Sequence, residues 1–297
     1  MNSVDPLARN YASSVQLTPR YSGQPLIAID GDPSDQLAPF IGQRRRLQQS
    51  LGSLSPSDWA TESRCDGWSV KDVVAHLASV NEFWMLSISS GASGEPTKWL
   101  ASFDPAATPE QMVERTRATE ASQVLEQFSD TNARLAVLLE GLDESQWSLL
   151  AEAPPGHLPI RLVASHGLWD GWIHERDVLL PLGMEPQVVA DEVAASLRYV
   201  VGLIGGFSVL TGTAESRSLE VAATNPEVLF ALELSETTAQ VRSLSGPSGT
   251  QRLEGDAVSL LETLSFRAPF PRGVPSEWID LSQSLAQVFD TTLRTEE

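Results

Sequence analysis

Residues 66–77, DGWSVKDVVAHL, predict the start of an amphipathic helix and decide the fold of the N-terminal half. Ser69 and Asp72 have the N-cap to N3 spacing of a capping box, in which aspartate is an allowed variant at N3. His76 falls on the apolar face of this helix, so its imidazole is expected to point into the protein. A buried imidazole needs a partner, and His76 is therefore either a hydrogen-bonded core residue or a metal ligand. The apolar residues that define the face recur at steps of three and four: Val73, Leu77, Val80 and Trp84.

A second segment, residues 166–177 with the sequence HGLWDGWIHERD, places further candidate ligands on one face of a helix. Asp170 and His174 lie four residues apart, so their side chains leave the same face one turn apart. Asp177 follows three residues later and can accept a hydrogen bond from the imidazole nitrogen of His174 that does not bind metal. His166 extends the row by one turn and is a candidate for an extra ligand or a gate. The alternative, a solvated helix face, fits poorly with the neighbouring apolar residues Leu168, Trp169, Trp172, Ile173 and Val178.

Residues 36–183 contain the signals of an up-and-down four-helix bundle. The second predicted helix carries His76 and the fourth carries Asp170 and His174, so the metal site is expected between these two helices. The arginine run 44–46 is expected on a solvated face of the first helix. The long loop 91–107, which contains Trp99, is expected to cover the site. Apolar periodicity and capping signals place the helices at residues 38–51, 69–89, 108–139 and 161–180.

After residue 183 the pattern changes to short strands bracketed by helices, which predicts a smaller α+β domain over residues 184–297. Residues 1–35 are rich in Ser, Pro, Gly and Asn and are expected to form a poorly ordered or draped arm. The predicted fold class is α+β, with the N-terminal bundle in residues 36–183 followed by the smaller domain. Predicted strands cover residues 219–223, 228–234 and 240–244, and predicted helices cover residues 187–208, 255–266 and 276–293.

The composition narrows the range of functions. The chain has 297 residues, enough for two domains, and its net charge of −19 argues against nucleic acid and anionic membrane surfaces as partners. The sequence has no uniformly apolar run of membrane-spanning length and no signal-peptide pattern, so a soluble, cytoplasmic protein is expected. The single cysteine, Cys65, excludes an internal disulfide and fits a reducing compartment. Cys65 is interpreted as a packing residue in preference to a nucleophile.

The two segments resemble the motifs of a known family, the DinB-like metal-binding bundles of mycothiol-dependent maleylpyruvate isomerases from actinobacteria. That family has a Gly-Trp-Ser-Val-x-Asp-Val-Val-x-His-Leu segment, matched by residues 67–77, and an acid-x-x-x-His-x-x-Asp segment, matched by residues 170–177. The resemblance implies that His76, Asp170 and His174 bind a divalent metal, typically zinc. The usual acid of the family is glutamate, and Asp170 is one methylene shorter. Either its helix lies closer to the metal, or His166 takes part, or the site is weakened.

The resemblance also implies a sterol-carrier-like second domain in which an arginine supports activity. Arg267 is the best match to that arginine, and Arg272 is its rival. The implied cofactors are the metal and mycothiol, a low-molecular-weight thiol, and the implied partner is a small-molecule substrate. Coordination would deprotonate the thiol at neutral pH, and the metal-bound thiolate would isomerise a maleylpyruvate-like cis double bond by addition, rotation and elimination. The planar guanidinium of Arg267 is suited to bind a carboxylate of the substrate or cofactor.

The ligand set is compatible with other functions as well. Two imidazoles and one carboxylate leave open positions on zinc, as in catalytic sites. The same site could leave the sulfur attached to an electrophilic metabolite, which would make the protein a mycothiol S-transferase. Non-haem iron oxygenases use the same ligands, and oxygen dependence with bound iron would reveal one. A non-catalytic stress or regulatory protein would bind metal tightly without binding a thiol.

Overall fold

The helices of the N-terminal part follow the apolar periodicity of the sequence. The computed structural model describes residues 18–31, 36–102, 104–105, 107–247, 251–289 and 291–296. The helices of this part are α1 (Leu37–Leu51), α2 (Val70–Ala92), α3 (Ala107–Thr116), α4 (Ala121–Glu140) and α5 (Ile160–Leu179). Both α1 and α2 pack against α4 and α5, so these helices form the four-helix bundle that the sequence predicts.

The N-terminus of α2 is fixed by the predicted capping box, which the structure confirms. The Asp72 carboxylate accepts a hydrogen bond of 2.9 Å from the Ser69 backbone N–H, and the Ser69 hydroxyl accepts one of 3.3 Å from the Asp72 N–H. These bonds satisfy amide groups that have no partner inside the helix. The helix then presents His76, which is only 8% exposed, to the protein interior.

The predicted third helix, residues 108–139, is divided into α3 and α4 in the structure. The chain leaves the helical path at residues 117–120, where no glycine or proline marks a break. The ammonium group of Lys71 on α2 binds the carbonyl oxygens of Arg117 and Thr119, at 2.7 and 3.1 Å. This contact with α2 stabilises the break between α3 and α4. Because it comes from a different helix, the sequence around residues 117–120 does not indicate the break.

The C-terminal part forms one mixed sheet covered by helices, which confirms the predicted α+β class. The strands in the described residues are β1 (Ile27–Ile29), β2 (Leu150–Ala153), β3 (Gly156–Pro159), β4 (Arg217–Thr224), β5 (Val228–Leu234), β6 (Ala239–Ser243) and β7 (Arg252–Asp256). β2 and β3 form a separate hairpin before α5, and the other strands form a sheet in the order β1-β6-β5-β4-β7. β1 runs parallel to β6 and β7 runs parallel to β4, while the β4-β5 and β5-β6 pairs are antiparallel. The covering helices are α6 (Ala190–Leu210), α7 (Ala257–Leu264) and α8 (Ser276–Val288).

The segment 18–31 is the main departure from the predicted organisation. Its strand β1 pairs with β6 at the edge of the sheet, where the sequence predicted a poorly ordered or draped arm and no strand. The backbone N–H of Arg20 also binds the carbonyl of Pro155 in the β2-β3 hairpin, at 3.0 Å. β1, β2, β3 and β7 escaped prediction because such short strands give little periodic signal. The rest of the predicted arm, residues 1–17 and 32–35, lies outside the described residues.

α6 is long and apolar enough to cross a membrane by length and composition alone, but 78% of its apolar window is buried inside the fold. It lies between the bundle and the sheet, in contact with α5, α7, α8 and β1. One buried apolar cluster runs from Trp84 and Leu168 in the bundle through Val200 on α6 to Phe230 in the sheet. The two halves of the chain therefore share a continuous core.

The first arginine of the run on α1, Arg44, is buried, which contradicts the prediction of a solvated face. Its Nη2 donates to the carbonyl of Gly167 on α5, at 3.1 Å. Gly171, one turn later, leaves room for the guanidinium, because a Cβ there would lie 2.6 Å from Arg44 Nη1. Burial lowers the pKa of Arg44 to about 10, and the nearby Asp170 carboxylate favours its charged form. Arg45 is exposed, as expected.

The junction between the N-terminal segment and the hairpin predicts a strong effect of Gly156→Ala. Gly156 has a φ of +126°, and a Cβ there would lie 2.1 Å from the backbone oxygen of Arg20. The substitution should lower the free energy of unfolding in urea by about 2–4 kcal/mol, through strain and collision with backbone. Gly23 has a φ of +79° with nothing within 4 Å of an added Cβ, so Gly23→Ala should cost only about 1 kcal/mol. Equal effects of the two substitutions would contradict this account of the junction.

Candidate metal centre

Candidate ligands from two helices converge in the structure. His76 on α2 faces Asp170 and His174 on α5. The distance from His76 Nε2 to Asp170 Oδ1 is 3.9 Å, and His174 Nε2 lies 3.5 Å from the same oxygen. One ligand atom from each side chain lies within 4.8 Å of the others. The short aspartate side chain thus reaches both imidazoles without help from another residue.

Burial and mutual attraction set the charges of these groups. Burial lowers the pKa of His76, and the contact with Asp170 offsets this only in part. Burial also disfavours a charged His174, but Asp170 and the hydrogen bond to Asp177 outweigh it and raise the pKa of His174 to about 10. Burial disfavours ionisation of Asp170, yet the imidazoles hold the pKa of this carboxyl well below its usual range. In the metal-free protein at neutral pH, His174 and Asp170 therefore form an ion pair.

Asp177 orients His174 from the other side of the imidazole. Its Oδ2 lies 3.1 Å from His174 Nδ1, the contact that the sequence spacing predicts. Arg267 binds both carboxylate oxygens, with 2.8 Å from Nε to Oδ1 and 2.7 Å from Nη2 to Oδ2. Arg64 Nε lies 3.5 Å from Oδ1. Asp177 is 0% exposed, so these cations balance a fully buried charge.

The candidate ligands line a cavity of about 1090 Å³. The cavity lies between the bundle and the C-terminal part, because its wall includes Trp84 and Trp169 from the bundle and Phe207 from α6. Trp99 in the loop 91–107 also lines the cavity, as expected for a covering loop. The apolar wall and the charged cluster together form a site that can hold a small molecule next to a metal ion.

A buried carboxylate on β2 holds the covering loop in place. Glu152 accepts hydrogen bonds from the backbone N–H groups of Trp99 and Leu100, each at 2.8 Å. It also accepts hydrogen bonds from the hydroxyls of Thr97 and Tyr21, each at 2.6 Å. The N-terminal segment, through Tyr21, thus helps to position the cavity wall, a role that the sequence did not indicate.

The two candidate arginines of the C-terminal part occupy different places. Arg267 lines the cavity, but its Nε and Nη2 are engaged by Asp177. Only Nη1, which lies 3.4 Å from the Ser265 carbonyl, is left to meet a ligand. Arg272 lies on the exposed surface and does not line the cavity. The bidentate contact expected between Arg267 and a ligand is therefore made within the protein.

Cys65 lies in the site, although the sequence suggested a packing role. Its Sγ lies 3.2 Å from Asp177 Oδ2, 3.6 Å from Arg267 Nη2 and 3.7 Å from His174 Nδ1. With His174 and Asp177 it forms a second group of atoms close enough to hold a metal ion. Cys65 reaches this place because the backbone N–H of Arg64 binds the carbonyl of Asp177 at 3.1 Å. The place of Cys65 in the site depends on this contact between distant residues, so no local sequence pattern could indicate it.

His166 lines the cavity but lies outside both groups of clustered ligand atoms. Its Nδ1 lies 2.7 Å from the hydroxyl oxygen of Tyr199 on α6. Burial lowers the pKa of His166 to about 4, so its imidazole is neutral at pH 7. The sequence offered His166 as an extra ligand, but the other three candidate ligands lie together without it.

The side chains present fit a divalent metal ion. Among the described residues, Asp170 Oδ2 is buried without a hydrogen-bond partner, which is rare in native proteins. Nitrogen and oxygen ligands about 2.0–2.2 Å from a tetrahedral ion lie about 3.3–3.6 Å apart, close to the separations of these side chains. A metal ion held by His76, Asp170 and His174 would also give the buried carboxylate a partner.

A comparison with known protein families finds a match for the bundle. Residues 42–179, which contain the three candidate ligands, match the mycothiol maleylpyruvate isomerase N-terminal domain. The bundle is therefore similar to the N-terminal domain of this family, as the sequence motifs indicated. The motifs at residues 67–77 and 170–177, from which the resemblance was recognised, both lie inside the matched region.

Over most of the chain, the fold is similar to that of solved maleylpyruvate isomerase structures. A crystal structure of a mycothiol-dependent maleylpyruvate isomerase aligns over 80% of this chain and 90% of its own, with a TM-score of 0.57 and 15% sequence identity. A histidine-to-alanine mutant of that isomerase aligns over 80% and 90% of the two chains, with a TM-score of 0.58 and 15% identity. Likeness at this level of identity shows a shared fold. No curated protein matches the chain in sequence.

The cluster predicts that His76→Ala and His174→Ala will each lower the metal content of the purified protein. Loss of one ligand should reduce metal per chain at least about tenfold, while helicity by circular dichroism stays near that of the wild type. His157 is a matched control, because its Nε2 lies 2.7 Å from the Thr97 carbonyl and it is not part of the cluster. His157→Gln should retain full metal content. Full metal content in both alanine variants would contradict the assignment.

Metal binding is expected to strengthen as the pH rises. His174 is protonated below its pKa of about 10 in the metal-free protein, and its nitrogen must lose this proton to bind a metal ion. The logarithm of the metal affinity should therefore increase by about one per pH unit between about pH 6 and 8. Chelator competition at several pH values measures the slope. An affinity independent of pH would mean that His174 is not a ligand.

Proposed function

We propose that this protein is a metal-dependent isomerase that uses mycothiol to convert a maleylpyruvate-like substrate from the cis to the trans form. The observation that carries the proposal is the cluster of His76, Asp170 and His174 in the wall of a cavity of about 1090 Å³. A cavity of this size can hold a thiol cofactor beside a small substrate. The family match and the shared fold with a mycothiol-dependent maleylpyruvate isomerase support the choice of thiol and substrate.

The chain supplies the binding groups, and the cofactors supply the chemistry. His76, Asp170 and His174 would hold the metal, for which zinc is the ion to test, with positions left open for the thiol. When bound, the metal and mycothiol supply a nucleophilic sulfur whose reversible addition to the double bond permits rotation. Cys65, the one cysteine of the chain, is engaged by Asp177 and Arg267, which supports an external thiol as the nucleophile.

Arg267 acts in this proposal as a positioning residue. It holds the Asp177 carboxylate through two charged hydrogen bonds, and Asp177 in turn binds Nδ1 of His174. This arrangement fixes the ring orientation and directs Nε2 of His174 towards the metal. Removal of the Arg267 side chain would leave Asp177 buried with less compensation, and the geometry at His174 would loosen.

Arg294 is the residue that we propose for binding a substrate carboxylate. It lines the cavity next to Arg267, and its Nη2 donates to the Arg267 carbonyl at 3.3 Å. Within the described part of the chain, no carboxylate pairs with its guanidinium. Among the described residues, Arg294 therefore offers the cavity a cation without a carboxylate partner, which suits an anionic ligand.

The two parts of the chain would have different roles. Residues 36–183 would form the metal-binding domain, since they contain His76, Asp170 and His174. Residues 184–297 would form the smaller domain that contributes Arg267 and Arg294 to the cavity. The cavity lies between them, so the substrate would meet ligands from both.

The experiment that tests the proposed function is a product analysis. Zinc-loaded protein is mixed with a catalytic amount of mycothiol and an excess of maleylpyruvate, and the products are followed by proton NMR. The expected result is the trans isomer, with the thiol recovered unchanged over many turnovers. A stoichiometric sulfur adduct would identify an S-transferase, and metal binding without either product would refute the proposal in favour of a non-catalytic protein.

Arg294→Gln is expected to weaken substrate binding more than it slows turnover. Loss of a charged hydrogen bond to a carboxylate should raise KM about tenfold, with kcat changed by less than about threefold. Arg272→Gln is the matched control, because Arg272 is an exposed arginine of the same region that does not line the cavity. It should leave both constants unchanged. Equal KM values for Arg294→Gln and Arg272→Gln would show that Arg294 does not bind the substrate.

A further inference from the structure

His166 is a cavity residue that the ligand cluster does not use. It lies on α5, one turn before Asp170, and lines the cavity although it is only 6% exposed. The rings of Trp84 and Trp169 flank its imidazole at centroid distances of 5.1 and 5.3 Å. These contacts hold the imidazole ring in the cavity wall. Its two nitrogens are the atoms that can form hydrogen bonds.

The hydrogen bond to Tyr199 determines which nitrogen of His166 carries the proton. His166 Nδ1 lies 2.7 Å from Tyr199 Oη, and Tyr199 is 0% exposed. In the described part of the chain, Oη has no other hydrogen-bond partner. If Nδ1–H donated to Oη, the phenol hydrogen would be buried without an acceptor, which is unfavourable. The phenol therefore donates to Nδ1, and the proton of the neutral imidazole is on Nε2.

The Nε2 atom of His166 remains available to a ligand. No group among the described residues binds this nitrogen. It is not fully buried by protein atoms, whereas Nδ1 of His76 is. Burial keeps the ring neutral by lowering its pKa to about 4, so Nε2–H is a neutral donor at pH 7. A fixed donor of this kind binds an oxygen more strongly as negative charge develops on it.

We propose that His166 is a catalytic residue whose Nε2–H donates a hydrogen bond to the substrate oxygen conjugated with the double bond, and that Tyr199 is the positioning residue that fixes this donor. The inference rests on the proposed function. When sulfur adds to the double bond, an electron pair moves onto that oxygen, and the pair returns when the sulfur leaves. The donor therefore stabilises the charge between the two steps without transferring a proton.

The tautomer can be tested without any assay of activity. In ¹⁵N NMR of the zinc-loaded protein, His166 should show a protonated Nε2 and an unprotonated Nδ1 that accepts a hydrogen bond. Tyr199→Phe keeps the buried ring but removes the hydroxyl, and it should shift the tautomer ratio. A proton on Nδ1 in the wild type, or an unchanged ratio in Tyr199→Phe, would overturn the proposal.

Binding of an unreactive probe tests the donor itself. 2-Oxoadipate is an oxo dicarboxylate without a double bond, and its Kd for the zinc-loaded protein can be measured by calorimetry. His166→Leu should raise the Kd about tenfold, and His166→Gln, which keeps a side-chain N–H, should recover it to within about threefold. An unchanged Kd in His166→Leu would overturn the proposal. Because the probe does not react, this result is independent of whether the wild type isomerises maleylpyruvate.

Turnover separates a catalytic role from a structural one. In an active enzyme, His166→Leu should lower kcat about 10²-fold with unchanged metal content. The kcat of His166→Gln should be at least about tenfold higher than that of His166→Leu. Tyr199→Phe should lower kcat by a smaller factor. A merely structural His166 would instead reduce thermal stability or metal content in His166→Leu and His166→Gln alike, with kcat per bound metal unchanged.

Discussion

The buried carboxylate of Asp177 is the constraint on which the site depends. It is 0% exposed, and such a charge is costly without close cations. Arg267, which follows 90 residues later in the chain, therefore has to lie against the end of α5. The same carboxylate binds His174 Nδ1 and so sets the direction of the nitrogen that faces Asp170. One ion pair thus orients a ligand and ties the C-terminal part of the chain to the bundle.

The sequence predicted best those features that depend on local structure. The capping box at Ser69 determines where α2 begins, and this start places His76 on the buried face. The spacing of four residues between Asp170 and His174 is a property of the helix itself, so it survives in any packing. The predicted contact between His174 and Asp177, three residues apart, follows for the same reason.

Features that depend on contacts between distant segments could not be predicted. The break in the third predicted helix is stabilised by Lys71, which lies on α2. The glycine that leaves room for Arg44 lies on α5. Cys65 enters the site because its loop docks on the end of α5, and Tyr199 approaches His166 from α6. The resemblance indicated that Arg267 belongs to the site, but its partner Asp177 became clear only from the folded chain.

We propose that His76, Asp170 and His174 hold one metal ion and leave a position open for an external thiol. X-ray absorption at the zinc edge tests it most directly, on loaded protein before and after addition of mycothiol. Before the thiol is added, the expected ligands are two imidazoles and an oxygen; after its addition, a new sulfur is expected at about 2.3 Å. Sulfur bound before the thiol is added would contradict it, because the metal would then be held by the alternative group of Cys65, His174 and Asp177.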